Sequence, residues 1–253
     1  MYFNFVKRLE TKQNSIFYSL LRSKKNPCHI LATGRRRYDE RIVQSMILDN
    51  NFNIIKEDDV FLLKCEDPRS FYHNDCLYIQ DNYLDDMHLI NLSNSTSHKI
   101  NINGKNITFI SHNGRLYFIH IMCPFTLYEY IVETGEIFLI DVQKQDFVNY
   151  EYRGGTPGYK INDNIYYGFG HRTYTNQYTN TLMHDIFYWE VNFSLKKPYI
   201  EMWNVMHPPN CLNICDPTSV ININNKTYLI TAETDFPWFQ EQDYVTNIYE
   251  VIW

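Results

Sequence analysis

The sequence predicts an all-β fold, a five-bladed β-propeller, and three observations carry that prediction. Aromatic residues make up 16% of the 253 residues, with Tyr 21 and Phe 16, a composition that suits pleated, half-buried strands. From Cys28 onward the apolar residues recur with a period of two rather than 3.6. Finally, one hairpin signature returns four times: an asparagine, a turn residue, and an alternating strand with tyrosine at a fixed offset. It occurs at Asn74-Asp75 with Tyr78, Asn113-Gly114 with Tyr117, Asn162-Asp163 with Tyr166 and Asn224-Asn225 with Tyr228. The tyrosines are 39, 49 and 62 residues apart, and intervals of this size holding several short strands mark propeller blades. A β-sandwich with hairpins recurring by chance is the alternative, and the shared tyrosine offset favours the propeller.

Residues 1–27 form the one segment with helical character, read as a short N-terminal helical, basic segment ahead of a propeller domain over 28–253. Phe5, Leu9, Ile16, Phe17, Leu20 and Leu21 fall at three-to-four spacing among Lys7, Arg8, Lys12, Arg22, Lys24 and Lys25. Packing of one face on the chain's own domain is the expected reading, and contact with an anionic membrane surface is the alternative. Strands at 29–34, 41–48 and 52–55 supply the first repeat, which with the four hairpins makes five. The longest interval between tyrosines calls for an insertion, placed at 173–212.

Composition bounds the function. A formal net charge of -6 argues against general nucleic-acid binding. The six cysteines lie singly, and Cys211 with Cys215 has no second pair to complete a zinc set, so neither a metal site nor a disulfide framework is expected. The sequence carries no apolar run long enough to span a bilayer and no secretory signal, so the expected location is cytoplasmic, and the five N-x-[ST] sequons are read as asparagine-rich composition.

In a propeller blade the start of the innermost strand and the end of its neighbour lie at the same end of the central channel. Here the starts are Glu66-Asp67-Pro68-Arg69, Arg153-Gly154-Gly155 and Asp216-Pro217, and the ends include Gly170-His171-Arg172 and Glu233. One mouth therefore gathers Glu66, Asp67, Arg69, Arg153, His171, Arg172, Asp216 and Glu233, with Arg36 or Arg37 of the Arg35-Arg36-Arg37 run pointing the same way. Carboxylates shielded from water there can be tuned for acid–base work, and arginines can clamp an anion or a polyol. Gly154-Gly155 signals a close backbone approach. Asp216 before Pro217 has two readings, a turn cap and a site carboxylate. His184-Asp185 is a candidate rim contact; with no serine nucleophile nearby it does not make a triad.

The block Glu66-Asp67-Pro68-Arg69, followed by Phe71-Tyr72, Asn74 and Leu77-Tyr78, resembles the signature of β-mannoside phosphorylases and related inverting hydrolases and mannosyltransferases, which are five-bladed propellers. Arg153-Gly154-Gly155-Thr156-Pro157, leading to the strand that ends in His171-Arg172, looks like a later blade of the same group. The asparagine- and isoleucine-rich composition resembles that of large-DNA-virus proteins. The family resemblance implies an enzyme that transfers or cleaves a hexosyl, mannosyl-like unit with inversion, with Asp67 as general acid and Arg69 holding Asp67 or a substrate hydroxyl. It implies that Arg153, His171 and Arg172 bind an anionic partner, inorganic phosphate or a sugar nucleotide, as substrate. No metal or other cofactor is expected, since arginines neutralise the charge. The expected partner is a carbohydrate or glycan acceptor. A non-catalytic propeller that binds glycans or proteins is the other reading.

Overall fold

The structure is a computed structural model and describes residues 1–10, 15–36, 42–83, 86–102, 104, 106–143, 151–204, 207–235 and 244–253. Strand β1 (Tyr2–Leu9) runs along the last sheet of the chain. Blade I holds β2 (Ser15–Arg22), β3 (Ile30–Arg36), β4 (Ile42–Leu48) and β5 (Ile54–Lys64). Blade II holds β6 (Arg69–His73), β7 (Cys76–Tyr83), β8 (Asp86–Asn91) and β9 (Thr96–Ile100). Blade III holds β10 (Thr108–His112), β11 (Arg115–Ile121), β12 (Phe125–Tyr130) and β13 (Ile137–Gln143). In blade IV the innermost strand is split into β14 (Tyr152–Arg153) and β15 (Tyr159–Lys160), ahead of β16 (Ile165–Asn176), β17 (Thr181–Asn192) and β18 (Tyr199–Asn204). Blade V holds β19 (Ile214–Ile223), β20 (Lys226–Thr234) and β21 (Val245–Ile252), with β1 as its outermost strand. The chain is thus an all-β, five-bladed propeller, and no helix occurs among the described residues.

The recurring hairpin signature has a physical basis. Asn74-Asp75, Asn113-Gly114 and Asn224-Asn225 all have positive φ at both turn positions, the conformation of type I′ turns that match the twist of the flanking strands. The Asn162 copy differs. Its side chain accepts from the backbone N–H groups of Asn164 and Ile165, an Asx turn that joins β15 to β16. The extra length of the third interval appears in β16 and β17, twelve residues each, which carry their hairpin out to 176–181.

Burial explains why the blades form a ring. Each pair of neighbouring blades shares at least one apolar cluster, and V and I share two. Tyr18, Leu20, Ile221 and Ile248 join V to I, Val43, Ile79 and Ile90 join I to II, and Phe71, Leu89, Phe109 and Phe118 join II to III. Ile119, Phe187 and Trp189 join III to IV, and Phe3, Phe169, Tyr188 and Tyr249 join IV to V. The I–II cluster is the smallest, and beside it the two blades meet through polar contacts, with Ser70 Oγ of β6 2.8 Å from Thr33 Oγ1 of β3 and Ser70 N–H donating to Ser19 Oγ of β2 at 3.0 Å. At the end of the channel remote from the Asp67 mouth, residues of all five innermost strands, among them Leu21, Ser70, Phe109, Tyr159 and Ser219, line a cavity of about 440 Å³.

The expected N-terminal helix is not there. Tyr2–Leu9 and Ser15–Arg22 are strands, the first paired with β21 from Tyr2↔Ile252 to Leu9↔Thr246, the second forming the innermost strand of blade I. The helical spacing had two causes. β2 is buried on both faces, with Ile16, Phe17, Tyr18, Ser19 and Leu20 all enclosed, so it cannot alternate. A bulge at Phe17, which has positive φ, and another between Phe5 and Lys7 also shift the period of two. The amphipathic helix proposed for membrane contact goes with it, and no helix among the described residues is long and apolar enough to cross a membrane.

Closure by β1 makes a direct prediction. Phe3 is 3% exposed and sits in the IV–V cluster, edge-on to Phe169. Phe3→Ala should cost about 3 kcal/mol in urea unfolding, from lost transfer energy and the cavity left behind. A change within about 0.5 kcal/mol, the size expected of surface sites, would show that β1 does not close the ring.

Candidate active site

The head of β6 is the centre of the site. Arg69 begins the strand and is buried, 2% exposed, and it pairs in register with Gln80 of β7, so the two side chains share a face. Among the described residues, Arg69 Nε and Nη1 and both polar atoms of the Gln80 amide find no hydrogen-bond partner. Buried polar groups are ordinarily satisfied, so unpaired donors here are set for a water or a ligand. Asp67 lies two residues before Arg69, partly accessible. Burial pushes its carboxyl above the usual range, as do the neighbouring carboxylates Asp216 and Glu66, while Arg69 and Arg35 pull it back.

Asp216 behaves in the opposite way. It stands near the head of β19, and its Oδ1 lies 2.7 Å from His184 Nδ1 and 3.5 Å from His171 Nδ1. Burial pushes its carboxyl up, but His184, His171 and Arg69 outweigh that and hold it well below the ordinary value. Its carboxylate is engaged by a side chain across the blade boundary, which favours the site reading over the turn-cap reading. His171, 1% exposed, has its pKa pushed down to about 3 by burial and is neutral at neutral pH, with its ring stacked on His184 at 4.5 Å between centroids.

Among the described residues, His171, His184 and Asp216 also form a group whose ligand-type atoms lie within 4.8 Å of one another. Donors held tetrahedrally at about 2.0–2.1 Å from a zinc ion stand about 3.3 Å apart. The 2.7 Å between His184 and Asp216 is shorter, and it is the geometry of a hydrogen bond.

Blade IV reaches this centre by close backbone approach. A Cβ at Gly154 would collide with Asn106 O of blade III, and one at Gly155 would lie 2.6 Å from both Phe169 O and Pro217 Cγ. The two glycines thus let the head of blade IV wedge between blades III and V. Arg153, just before them, pairs in register with His171; its side chain is exposed at the mouth, and its charge is among those that lower the His171 pKa.

The remaining sequence candidates separate from this centre. Arg172 pairs with Asp185 and lies over the Tyr174 ring, and His207 Nε2 is 2.6 Å from Asp185 Oδ1, so this group forms a rim. Sequence reading placed His184 on the rim with Asp185, whereas the structure turns it inward onto Asp216, because successive residues of a strand point to opposite faces. Glu233 is fully buried, and it accepts from Asn247 Nδ2 at 2.9 Å, Tyr249 OH at 2.9 Å and Leu212 N at 3.1 Å, a network that holds the approach to β19. Glu66 is half-buried, and its backbone N–H donates to Asp81 Oδ1 at 2.8 Å. Arg35 of the arginine run is buried, over the Phe17 ring and within electrostatic reach of Asp67. The Arg36 side chain and Arg37 lie outside the described residues.

Sequence reading assigns no role to Gln80, Asp81 or His207. Gln80-Asp81 had a legible signal, two polar residues closing a strand at the same end as Asp67. Asp81 is 2% exposed, and burial pushes its carboxyl up to about 6, against the Glu66 N–H and the Cys65 thiol.

The sign of its pH effect follows from linkage. An acid whose folded pKa is raised favours the folded state while protonated, so its contribution is whole below the unfolded value near 4 and is lost as pH rises through about 6. Asp81→Asn keeps an acceptor for the Glu66 N–H and removes the titration. Its stability relative to wild type should therefore rise between about pH 4 and pH 6.5 in urea unfolding. Parallel pH profiles would contradict the assignment.

No protein-family model matches this chain, and no curated protein matches it. Solved structures do. A bifunctional GH43-CE protein of Bacteroides eggerthii superposes with a TM-score of 0.67 at 10% identity, covering 95% of this chain and 33% of its own. An exo-β-1,3-galactanase from Phanerochaete chrysosporium, solved with β-1,3-galactotriose, gives 0.65 at 7% identity over 98% and 64%. An α-L-arabinofuranosidase from Lactobacillus brevis gives 0.57 at 9% identity over 100% and 93%. The chain therefore spans about a third of the Bacteroides protein, and at these identities the likeness is one of fold. It is a five-bladed β-propeller resembling GH43 glycoside hydrolases.

Proposed function

We propose that this chain is a carbohydrate-active enzyme that cleaves a glycosidic bond with inversion, with Asp67 as general acid and Asp216 as general base. One observation carries the reading. Two carboxylates on the heads of different innermost strands flank one buried arginine, and their surroundings push their pKa values apart. Paired carboxyl groups with opposed protonation are the machinery of inverting glycoside hydrolysis. Asp67, pushed toward its protonated form by burial and by Asp216, gives its proton to the departing oxygen. Asp216, held ionised, takes a proton from the attacking water on the opposite face of the sugar. His184 fixes the orientation of Asp216. The unpaired hydrogen-bonding atoms of Arg69 and Gln80 receive sugar hydroxyls. The fold of the galactanase and arabinofuranosidase supports the same substrate class.

The likeness of Glu66-Asp67-Pro68-Arg69 to the mannoside phosphorylase signature supports a hexosyl, mannosyl-like unit. Transfer to phosphate or from a sugar nucleotide is a second reading, favoured by the exposed guanidinium of Arg153 at the mouth. Arg172 does not add to that anion site, because Asp185 already holds it.

The test is hydrolysis of a panel of mannosides, galactosides, arabinosides and xylosides, with and without phosphate or sugar nucleotides. Asp67→Asn should lower kcat by about 10²–10⁴-fold on alkyl glycosides and far less on nitrophenyl glycosides, whose leaving groups need no proton. Equal losses on both leaving-group classes would remove Asp67 from the acid role. Tight glycan binding without turnover on any donor would make the chain a binding module instead.

A further inference from the structure

Glu233 is a further buried carboxylate beside the mouth, and the proposed reaction leaves it without a part. It stands near the end of β20, has no exposed surface, and pairs in register with Cys215 of β19, the residue before Asp216. Five donors converge on it. Its Oε1 accepts from Thr231 Oγ1 at 2.5 Å, Tyr249 OH at 2.9 Å and the Cys215 thiol at 3.7 Å. Its Oε2 accepts from Asn247 Nδ2 at 2.9 Å and from the Leu212 N–H at 3.1 Å. A carboxylate is acceptor-only and has about four lone-pair sites for such a shell, whereas a glutamine amide would turn two donors of its own toward these five.

Two of the five bonds lead to the site. The Cys215 thiol ties the head of β19, and with it the backbone entering Asp216, to Glu233. Leu212 leads into Asn213, whose N–H donates to Asp235 Oδ1 at 3.0 Å and whose carbonyl accepts from the His184 N–H at 2.9 Å. His184 meets Asp216 through its ring, Nδ1 to Oδ1 at 2.7 Å. That contact crosses from blade IV to blade V, between sheets that no ladder of strand hydrogen bonds joins. Its length therefore depends on links outside the ladders. We propose that Glu233 is a positioning residue that fixes the Asp216–His184 pair, gripping Cys215 on one side and the Leu212–Asn213 backbone on the other, a role that rests on the reading of Asp216 as general base. Being enclosed, Glu233 acts through these neighbours and not on substrate. Asp235, exposed at the end of the same strand, holds the second route at Asn213.

The test follows Asp216 in the full chain by carboxyl-carbon NMR. In Glu233→Gln its midpoint should lie closer to the ordinary aspartate value than in wild type. With the His184 contact slackened, Asp216 relies on His171 and Arg69 against its burial and the nearby Asp67. On a glycoside that wild type hydrolyses, kcat should fall by up to about 10²-fold with KM little changed, the cost of a misplaced base, and the acidic limb of the pH profile should move up. Asp235→Ala should move the Asp216 midpoint the same way by less, and it carries the test if Glu233→Gln does not fold. Tyr249→Phe removes a donor from Glu233 but spares both routes, so it should lower the urea midpoint and leave Asp216 in place. An Asp216 midpoint unmoved in both Glu233→Gln and Asp235→Ala, or moved as far by Tyr249→Phe, would overturn the proposal. The NMR readout needs no turnover, so a chain that cleaves no glycoside yet shows these shifts contradicts the proposed function and leaves the positioning standing.

Discussion

A buried guanidinium organises this molecule. Arg69 opens the innermost strand of blade II with almost no exposed surface, and an isolated charge in such a place costs several kcal/mol unless compensated. Asp67 and Asp216 supply the compensation, one from the same blade and one from blade V. Their unequal surroundings follow from that arrangement. Asp216 has His184 as a further partner, so it stays ionised, whereas burial, and then Asp216 and Glu66 as like charges, drive Asp67 toward its protonated form. A single cation shared by two carboxylates thus produces an acid and a base from one residue type.

The ring closure makes that sharing possible. Asp67 and Asp216 are 149 positions apart in the sequence, and only a closed propeller brings the heads of blades II and V to one mouth. The outermost strand of blade V comes from the N-terminus, so the first residues of the chain hold the last blade in register with the first. Blade IV enters the same mouth because Gly154 and Gly155 carry no Cβ to meet blades III and V. The apolar clusters lie between blades, leaving the strand heads free to carry charge.

Much of this was legible in the sequence. Three of the four Asn-led hairpins are type I′ turns whose residue preferences are local, and local rules read well from a sequence. The convergence of Asp67, Arg69, Arg153, His171 and Asp216 followed from blade geometry alone. What was not legible depended on long-range partners. β2 carried no alternation because both of its faces are covered by other blades, and β1 acquires its strand character only by pairing with β21, at the other end of the sequence. Glu233 has the same type and position as a mouth carboxylate, yet Tyr249 and Asn247 of the neighbouring strand absorb it. His184 and Asp185 are adjacent, and only the strand's orientation shows which one faces Asp216.

The central claim is the opposed protonation of Asp67 and Asp216, and carboxyl-carbon NMR titration of the aspartates tests it most directly, with Asp67→Asn and Asp216→Asn used to assign the signals. The account predicts that the Asp67 signal titrates above the ordinary aspartate range while the Asp216 signal stays ionised well below it. In Asp216→Asn, the Asp67 midpoint should fall as its neighbouring negative charge is removed. Two signals titrating together at the ordinary value, or an Asp67 midpoint unmoved by Asp216→Asn, would contradict it.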